Sequence, residues 1–243
     1  MFFKIKLADV TIGVRSLYDG IFEMCRDYIS EQDASFTVSI SQSDIDFERK
    51  KSADEAAFER RPPVEYPDPY LETLAVYRKI AAGLLDHNVM LMHGSAVCAG
   101  GQAYLFTAPS GVGKTTHSRL WLENIEGSFI INGDKPLIKV SDACCTVYGT
   151  PWAGKEGVHQ NTSAPLKAVC FLGRGAENSI AEVGFSEIVP YLFQQVHRPA
   201  SPDAMRKTMN LIKEFGTKVK FYRLACNMEP QAALTAYEGM NNG

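Results

Sequence analysis

The sequence predicts an α/β protein with α+β character: a sheet-and-helix core built around one glycine loop, preceded by a small α+β lobe. Three observations lead there. Tyr104 to Trp121 reads Y-L-F-T-A-P-S-G-V-G-K-T-T-H-S-R-L-W, an apolar run, a small-residue turn and a helix start in that order. Gly100-Gly101 just before it is a hairpin signal, so the loop's strand has an antiparallel neighbour, unlike a simple βαβ nucleotide fold. Finally, a patterned N-terminal stretch gives way to a polar, proline-rich segment at 48–69, which separates a lobe at 1–60 from a core at 61–243.

The elements follow from local pattern. Residues 2–15 mix Phe, Ile, Leu and Val with charges and read as one or two strands, with a turn or bulge at Gly13. Tyr18 to Ile29 places Ile21, Met24, Cys25 and Tyr28 at helical spacing, whereas Ser35 to Phe47 alternates and reads as strand. Pro62, Pro63, Pro67 and Pro69 mark 48–69 as a connection. Asp68-Pro69 starts a helix whose stripe runs from Leu71 to Leu85. An apolar strand interrupted at His93-Gly94 precedes the hairpin and the strand Gln102–Phe106. The loop helix runs to about Glu126 and stops at Gly127. Strands follow at 128–132, 136–140 and 144–148. Residues 149–161, G-T-P-W-A-G-K-E-G-V-H-Q-N, form a loop too polar and too rich in glycine to be core. Strands at 166–172 and 179–183 come next. Then there is a helix capped by Ser186 to about Val196, a helix at 203–215, a strand at 219–224 and a closing helix at 230–237.

Composition narrows the function classes. The chain has 243 residues, 45% apolar and 22% charged, enough for a sizeable core. A net charge of −3 gives no general basic field for nucleic acid. No run of residues is apolar enough for a transmembrane helix, and Lys4, Lys6 and Asp9 make the N-terminus a poor signal peptide. The six cysteines are scattered, with none in a C-x-x-C pair, as expected of buried thiols in a reducing cytoplasm. Cys144 and Cys145 are expected on opposite faces of one strand.

A strand, a glycine loop and a helix N-terminus together cradle phosphate, because loop N–H groups and the positive helix end face the anion. Pro109, Ser110, Gly111, Val112, Gly113, Lys114, Thr115 and Thr116 would line the cradle. Lys114 would reach the β- and γ-phosphates and the following hydroxyl a Mg²⁺ ion. The pattern departs from G-x-x-x-x-G-K-[ST] at its first glycine, which is Ala108; a small residue fits there when its φ is negative. Such a loop needs an acid at the end of a neighbouring buried strand. F-I-I-N-G-D places Asp134 there, 20 residues past Lys114. His93 ends the preceding strand. Lys155, His159 and Arg198 are candidate anion contacts, and Trp152 either stacks on a base, gates the site or packs.

With these residues, H-G at 93–94, the G-G hairpin, A-P-S-G-V-G-K-T-T at 108–116 and the aspartate after an apolar strand, the chain resembles the HPr kinase/phosphorylase and phosphoenolpyruvate carboxykinase superfamily of P-loop proteins. G-T-P-W-A-G-K at 149–155, P-L-K-A at 165–168, H-R-P at 197–199 and L-A-C-N-M-E-P at 224–230 are similar to a group of small, mostly bacterial HPr-kinase-like proteins. The resemblance implies a bent, largely antiparallel mixed sheet. It also implies ATP and Mg²⁺ held through Ser110–Thr116, with Thr115 and Asp134 at the metal. In HPr kinases two adjacent aspartates follow the strand, one the base and one at the metal; here the first position is Gly133. Two assignments of the base follow: Asp134 serves both roles, or His93 takes or relays the proton. Lys135 is then placed to stabilise charge on the transferred phosphoryl group.

The leading expectation is a kinase that moves the γ-phosphoryl group of ATP to a hydroxyl, a protein or peptide serine or a small metabolite, bound near Lys155, His159 and Arg198. A second is a nucleotide-binding regulator with little turnover, whose helices from Ser186 onward face a partner. Carboxykinase-like chemistry is weaker, because its further metal-binding residues have no counterparts here. Nucleotide and acceptor are the expected partners, nucleic acid and membrane are not, and self-association stays open.

Overall fold

The computed structural model describes residues 1–242; Gly243, the last position of the expected core, lies outside them. The chain is a mixed α/β protein that divides into two compact units at Leu84/Leu85.

In the first unit β1 (Phe2–Leu7) and β2 (Val10–Arg15) form a hairpin, and β3 (Phe36–Ser39) joins β2 in parallel. The hairpin turns at Ala8 and Asp9, both in the left-handed region, while the expected turn residue Gly13 lies mid-strand. The helix expected at 18–29 is shorter: α1 (Gly20–Met24) and then a 3₁₀ turn at 26–28. The larger differences concern 35–69. The strand expected to Phe47 stops at Ser39, and α2 (Gln42–Phe58) occupies much of what reads as a connection. A cap overrides the alternation. Asp44 accepts hydrogen bonds from the Ser41 backbone N–H at 3.0 Å and from its hydroxyl at 2.8 Å, and Lys79 approaches the same carboxylate at 2.7 Å. α3 (Asp68–Leu84) packs on α1, α2 and β3, so this unit runs to Leu84 and the connection between α2 and α3 shrinks to the proline-rich stretch. Its core gathers Ile5, Ile12, Val14, Ile21, Ile45, Leu71 and Val76.

The second unit is a mixed sheet of nine strands between two helical layers. Its strands are β4 (Val89–Leu91), β5 (Ser95–Ala99), β6 (Gln102–Thr107), β7 (Phe129–Asn132), β8 (Leu137–Val140), β9 (Cys145–Tyr148), β10 (Ser163–Arg174), β11 (Ser179–Val183) and β12 (Lys220–Cys226). The order is β4-β8-β9-β10-β6-β5-β7, with β12 also on β10 and β11 on β12. Only β6 and β12 run parallel to β10; the other neighbours are antiparallel. β10 is the pivot. Its residues 163–165 pair with β9, and after them it moves to β6 with a bulge between Leu166 and Ala168. A bulge re-aims a strand, which lets one segment serve two parts of the sheet.

Alternation assigns the faces. Tyr104 and Phe106 of β6 meet Trp121 of α4 (Lys114–Asn124) and the alanines of α7 (Gln231–Asn241) on one side. Ala103 and Leu105 join, on the other, Leu192 of α5 (Phe185–Gln195) and Phe215 of α6 (Pro202–Lys218). The residue capping α5 is Gly184, not Ser186. Cys145 is buried at the start of β9, whereas Cys144, expected on the same strand, is exposed just before it. All six cysteines are free thiols, and no described helix is long and apolar enough to cross a membrane.

His117 of α4 belongs to this packing. It is 3% exposed; its Nε2 accepts the Trp121 indole N–H at 3.2 Å and Phe106 lies edge-on at 4.6 Å. Among the described residues Nδ1 has no hydrogen-bond partner. Burial pulls this histidine down to about 4. The unfolded chain binds that proton near 6.5, so stability falls as pH drops from there toward 4, by on the order of 3 kcal/mol. His117→Gln keeps an acceptor for Trp121 and is expected to lose that part of the acid dependence. Urea unfolding of both proteins across this window checks it; parallel stability curves contradict it.

Candidate functional site

β6 ends at Thr107, whose buried hydroxyl donates to the His93 carbonyl at 2.8 Å and so ties two strand ends together. The chain then makes the turn 108–113 and enters α4. Gly111 (φ 79°) and Gly113 (φ 126°) hold backbone that side chains rarely adopt, and a Cβ at either would meet open space. Conformation therefore explains these glycines, and no neighbour crowds them. Ala108 is 2% exposed and is absent from the positive-φ residues, which is why alanine fits where the pattern has glycine. Ser110, Thr115 and Thr116 are exposed at the open end of α4, where the first-turn N–H groups lack helical acceptors. Lys114 folds back, its Nζ donating to the Ala108 carbonyl at 2.9 Å. Burial lowers its affinity for a proton; Asp134 opposes that and Lys135 adds to it, so these three charges share one field. Arg174, at the end of β10, donates to the Gly111 carbonyl at 2.8 Å.

The acidic side is built on a residue that the sequence reading passed over. Asn132 is fully buried at the end of β7. Its Oδ1 accepts the backbone N–H groups of Asp134 at 2.9 Å and Lys135 at 2.6 Å. Its Nδ2 donates to the Thr150 carbonyl at 2.9 Å. Thr150 in turn donates its hydroxyl to the Lys135 carbonyl at 2.8 Å. One carboxamide thus fixes the backbone that aims Asp134. The Asp134 carboxylate lies 3.3 Å from His93 Nε2 and 2.7 Å from Lys135 Nζ. Burial alone would raise its pKa; the His93 hydrogen bond and the Lys135 charge outweigh that and hold it at about 2. His93 Nδ1 faces Gln195 Oε1 at 3.1 Å, another partner that sequence could not supply.

The loop at 149–161 is not the polar excursion expected. Residues 149–153 are buried, Trp152 among them, and 154–158, Gln160 and Asn161 are exposed. Trp152 packs, and Gly154 lies so close that a Cβ would sit 2.9 Å from the Asp134 Cβ. At Gly133 a Cβ would face the carbonyl oxygens of Val158 at 3.4 Å and Ala153 at 3.5 Å. A carboxylate there would point toward like partial charge.

The remaining candidates are less gathered. Lys155 is exposed in the 154–157 turn. His159 forms a backbone bridge with Asn132, which brings this segment beside the acid. Arg198 is exposed, its guanidinium 5.9 Å from the Phe193 ring centroid, and it is Gln195, three residues earlier, that contacts His93. Glu156 pairs instead with Arg119 of α4, joining the exposed turn to the helix that follows the glycine loop. Among the described residues no three His, Cys, Asp or Glu side chains gather for a metal. A Mg²⁺ ion carried on phosphates takes only one or two protein oxygens, and Thr115 and Asp134 are chemically fitted for that.

Asn132→Ala would strand two buried N–H groups and the Thr150 carbonyl. The expected loss is about 3 kcal/mol by urea unfolding, with Asp134 no longer held. Asn132→Ala as stable as the parent would show that the backbone holds itself.

No family model matches the chain, and no curated protein matches it. Among solved structures, the chain is similar to the Hpr(Ser) kinase/phosphatase from Coxiella burnetii, at 9% identity and a TM-score of 0.37 over 63% of this chain and 94% of that one.

Proposed function

We propose that the chain is an ATP- and Mg²⁺-dependent phosphotransferase that moves the γ-phosphoryl group to a hydroxyl. The observation that carries this reading is the pairing of two loops. A lysine rests on a glycine-loop carbonyl at a helix start, and its charge is coupled to an ionised aspartate on the neighbouring strand end. In this reading Lys114 leaves the Ala108 carbonyl for the β- and γ-phosphates, and the amides from Ser110 to Thr116 receive the remaining phosphate oxygens. Thr115 and Asp134 would hold the metal, whose charge would neutralise that of the phosphates. Lys135 faces the transferred group.

The base follows from the electrostatics. A carboxylate held at about 2 is a weak proton acceptor at neutral pH, so Asp134 serves better as anchor. His93, set between Gln195 and Asp134, is the better candidate to take the acceptor's proton. The acceptor, a protein serine or a small hydroxyl compound, lies on the side of Lys155 and His159. The regulatory alternative, ATP binding with little turnover, draws on Gly133, which leaves Asp134 as the one acid at this strand end, beside the carbonyls of Ala153 and Val158.

Lys114→Ala is expected to weaken ATP binding by about 10- to 100-fold with unchanged unfolding behaviour. Unaltered ATP affinity by calorimetry would remove the phosphate-loop assignment. Asp134→Asn and His93→Gln are expected to lower transfer, followed by ³¹P NMR with ATP, Mg²⁺ and a panel of serine peptides and small hydroxyl compounds, by about 10²-fold or more. His93→Gln should leave ATP affinity intact. Tight ATP binding with no transfer to any acceptor in the panel would select the regulator.

A further inference from the structure

α2 buries Ile45, Glu48 and Ala56 along one side. The opposite side carries Phe47, Lys50, Lys51, Asp54, Glu55 and Phe58, which with Glu59 at its end line one surface groove; Glu59 is already paired with Arg61. Phe58 is 90% exposed and Phe47 50%, an apolar residue at each end of a charged stretch. The guanidinium of Arg78 on α3 lies 4.6 Å from the Phe47 ring centroid and backs it from within the unit. The spacing puts all six residues on one side of the helix over about three turns.

We propose that this face pairs with the same face of a second copy, α2 antiparallel to α2, across a twofold axis. The order of residues is what selects that occupant. Phe47 and Phe58, Lys50 and Glu55, and Lys51 and Asp54 are each centred on the peptide between Ser52 and Ala53. An antiparallel partner in that register sets every phenylalanine against a phenylalanine, every lysine against an acid and every acid against a lysine. A twofold contact requires this self-complementarity, since residue i meets j and j meets i. A nucleic acid or an anionic membrane would want one sign of charge, and this face carries both in mirrored order. Within a single chain Lys51 pairs, among the described residues, with Glu55 one turn away at 3.9 Å, an exposed pair of little worth. Pairing would cover both Phe58 rings, which a single chain leaves in water. The face contains none of the residues assigned to phosphoryl transfer, so its test stands apart from that reading.

Charge reversal checks it with the full-length chain, by sedimentation equilibrium up to the hundred-micromolar range. The wild type is expected to dimerise. Lys50→Glu/Lys51→Glu leaves only acids between the two phenylalanines and Asp54→Lys/Glu55→Lys only lysines among those four positions, so each variant alone is expected to be monomeric, folded by circular dichroism. Mixed in equal amounts they are expected to form a heterodimer, because the two reversed faces complement each other. Phe58→Ala is expected to weaken the wild-type dimer by about tenfold or more. A monomeric wild type, reversed variants that dimerise as tightly as the parent, or a mixture that stays monomeric would each overturn the proposal.

Discussion

The Asn132 carboxamide is the constraint on which the site depends. It sits where β7 ends, buried, and every polar atom it presents is used. Toward the chain ahead it accepts two successive N–H groups, which forces the tight path that throws Asp134 outward. Toward Thr150 it donates, which draws the 149–153 stretch inward and lets Gly154 pass over the acid. A buried amide is expensive unless satisfied, and once satisfied it admits one geometry. The orientation of Asp134 is therefore set from beneath by packing and hydrogen bonding, and does not rely on surface ion pairs.

The glycine loop is held by a different device. Its backbone is fixed by two left-handed glycines, while side chains borrow its carbonyls: Lys114 takes that of Ala108 and Arg174 that of Gly111. Both borrowings are single bonds from cations to neutral oxygens. An incoming polyanion offers each cation a stronger, charge-assisted partner. β10 reaches from β9 to the rim of this loop because its bulge separates the two duties: its middle pairs with the loop strand β6 up to Phe171, and its end, with Arg174, runs on beside β12. Rigid sheet below and exchangeable bonds above suit a site that must admit and release a charged ligand.

Local signals made much of this legible. Gly100-Gly101 does turn β5 into β6, Asp68-Pro69 does open α3, and the apolar run into Lys114 does become strand, loop and helix. The reading failed where a short polar signal competed with an apolar pattern. Ser35 to Phe47 alternates well, yet Ser41 and Asp44 form a cap, and a cap decides where a helix begins whatever the alternation before it. It failed again where a role is created by distant chain. Gln195 meets His93 across 102 residues, and nothing in F-Q-Q-V announces that. Asn132 looks like part of a polar turn in N-G-D-K-P because composition cannot show that its amide points inward. The buried stretch 149–153 is hidden from the sequence for the same reason: glycine and threonine read as solvent-facing until a buried acceptor is found for the hydroxyl.

One consequence of the Asn132 arrangement concerns chemical ageing. Asparagine followed by glycine is the dipeptide in which the next backbone nitrogen most readily attacks the side-chain amide, expelling ammonia and leaving aspartate or isoaspartate. In the folded chain both reactants are engaged. The Gly133 nitrogen donates to the Val158 carbonyl at 3.0 Å, and the Asn132 amide is held by Thr150. Folding thus shields a bond that the unfolded chain exposes, and each lapse in folding risks a lesion at the residue that orients the acid. Damage there would install a carboxylate where two N–H groups and a carbonyl expect an amide, and that carbonyl would lose its donor. The lifetime of the site is in this way tied to the integrity of the fold, through covalent chemistry and not only through equilibrium stability.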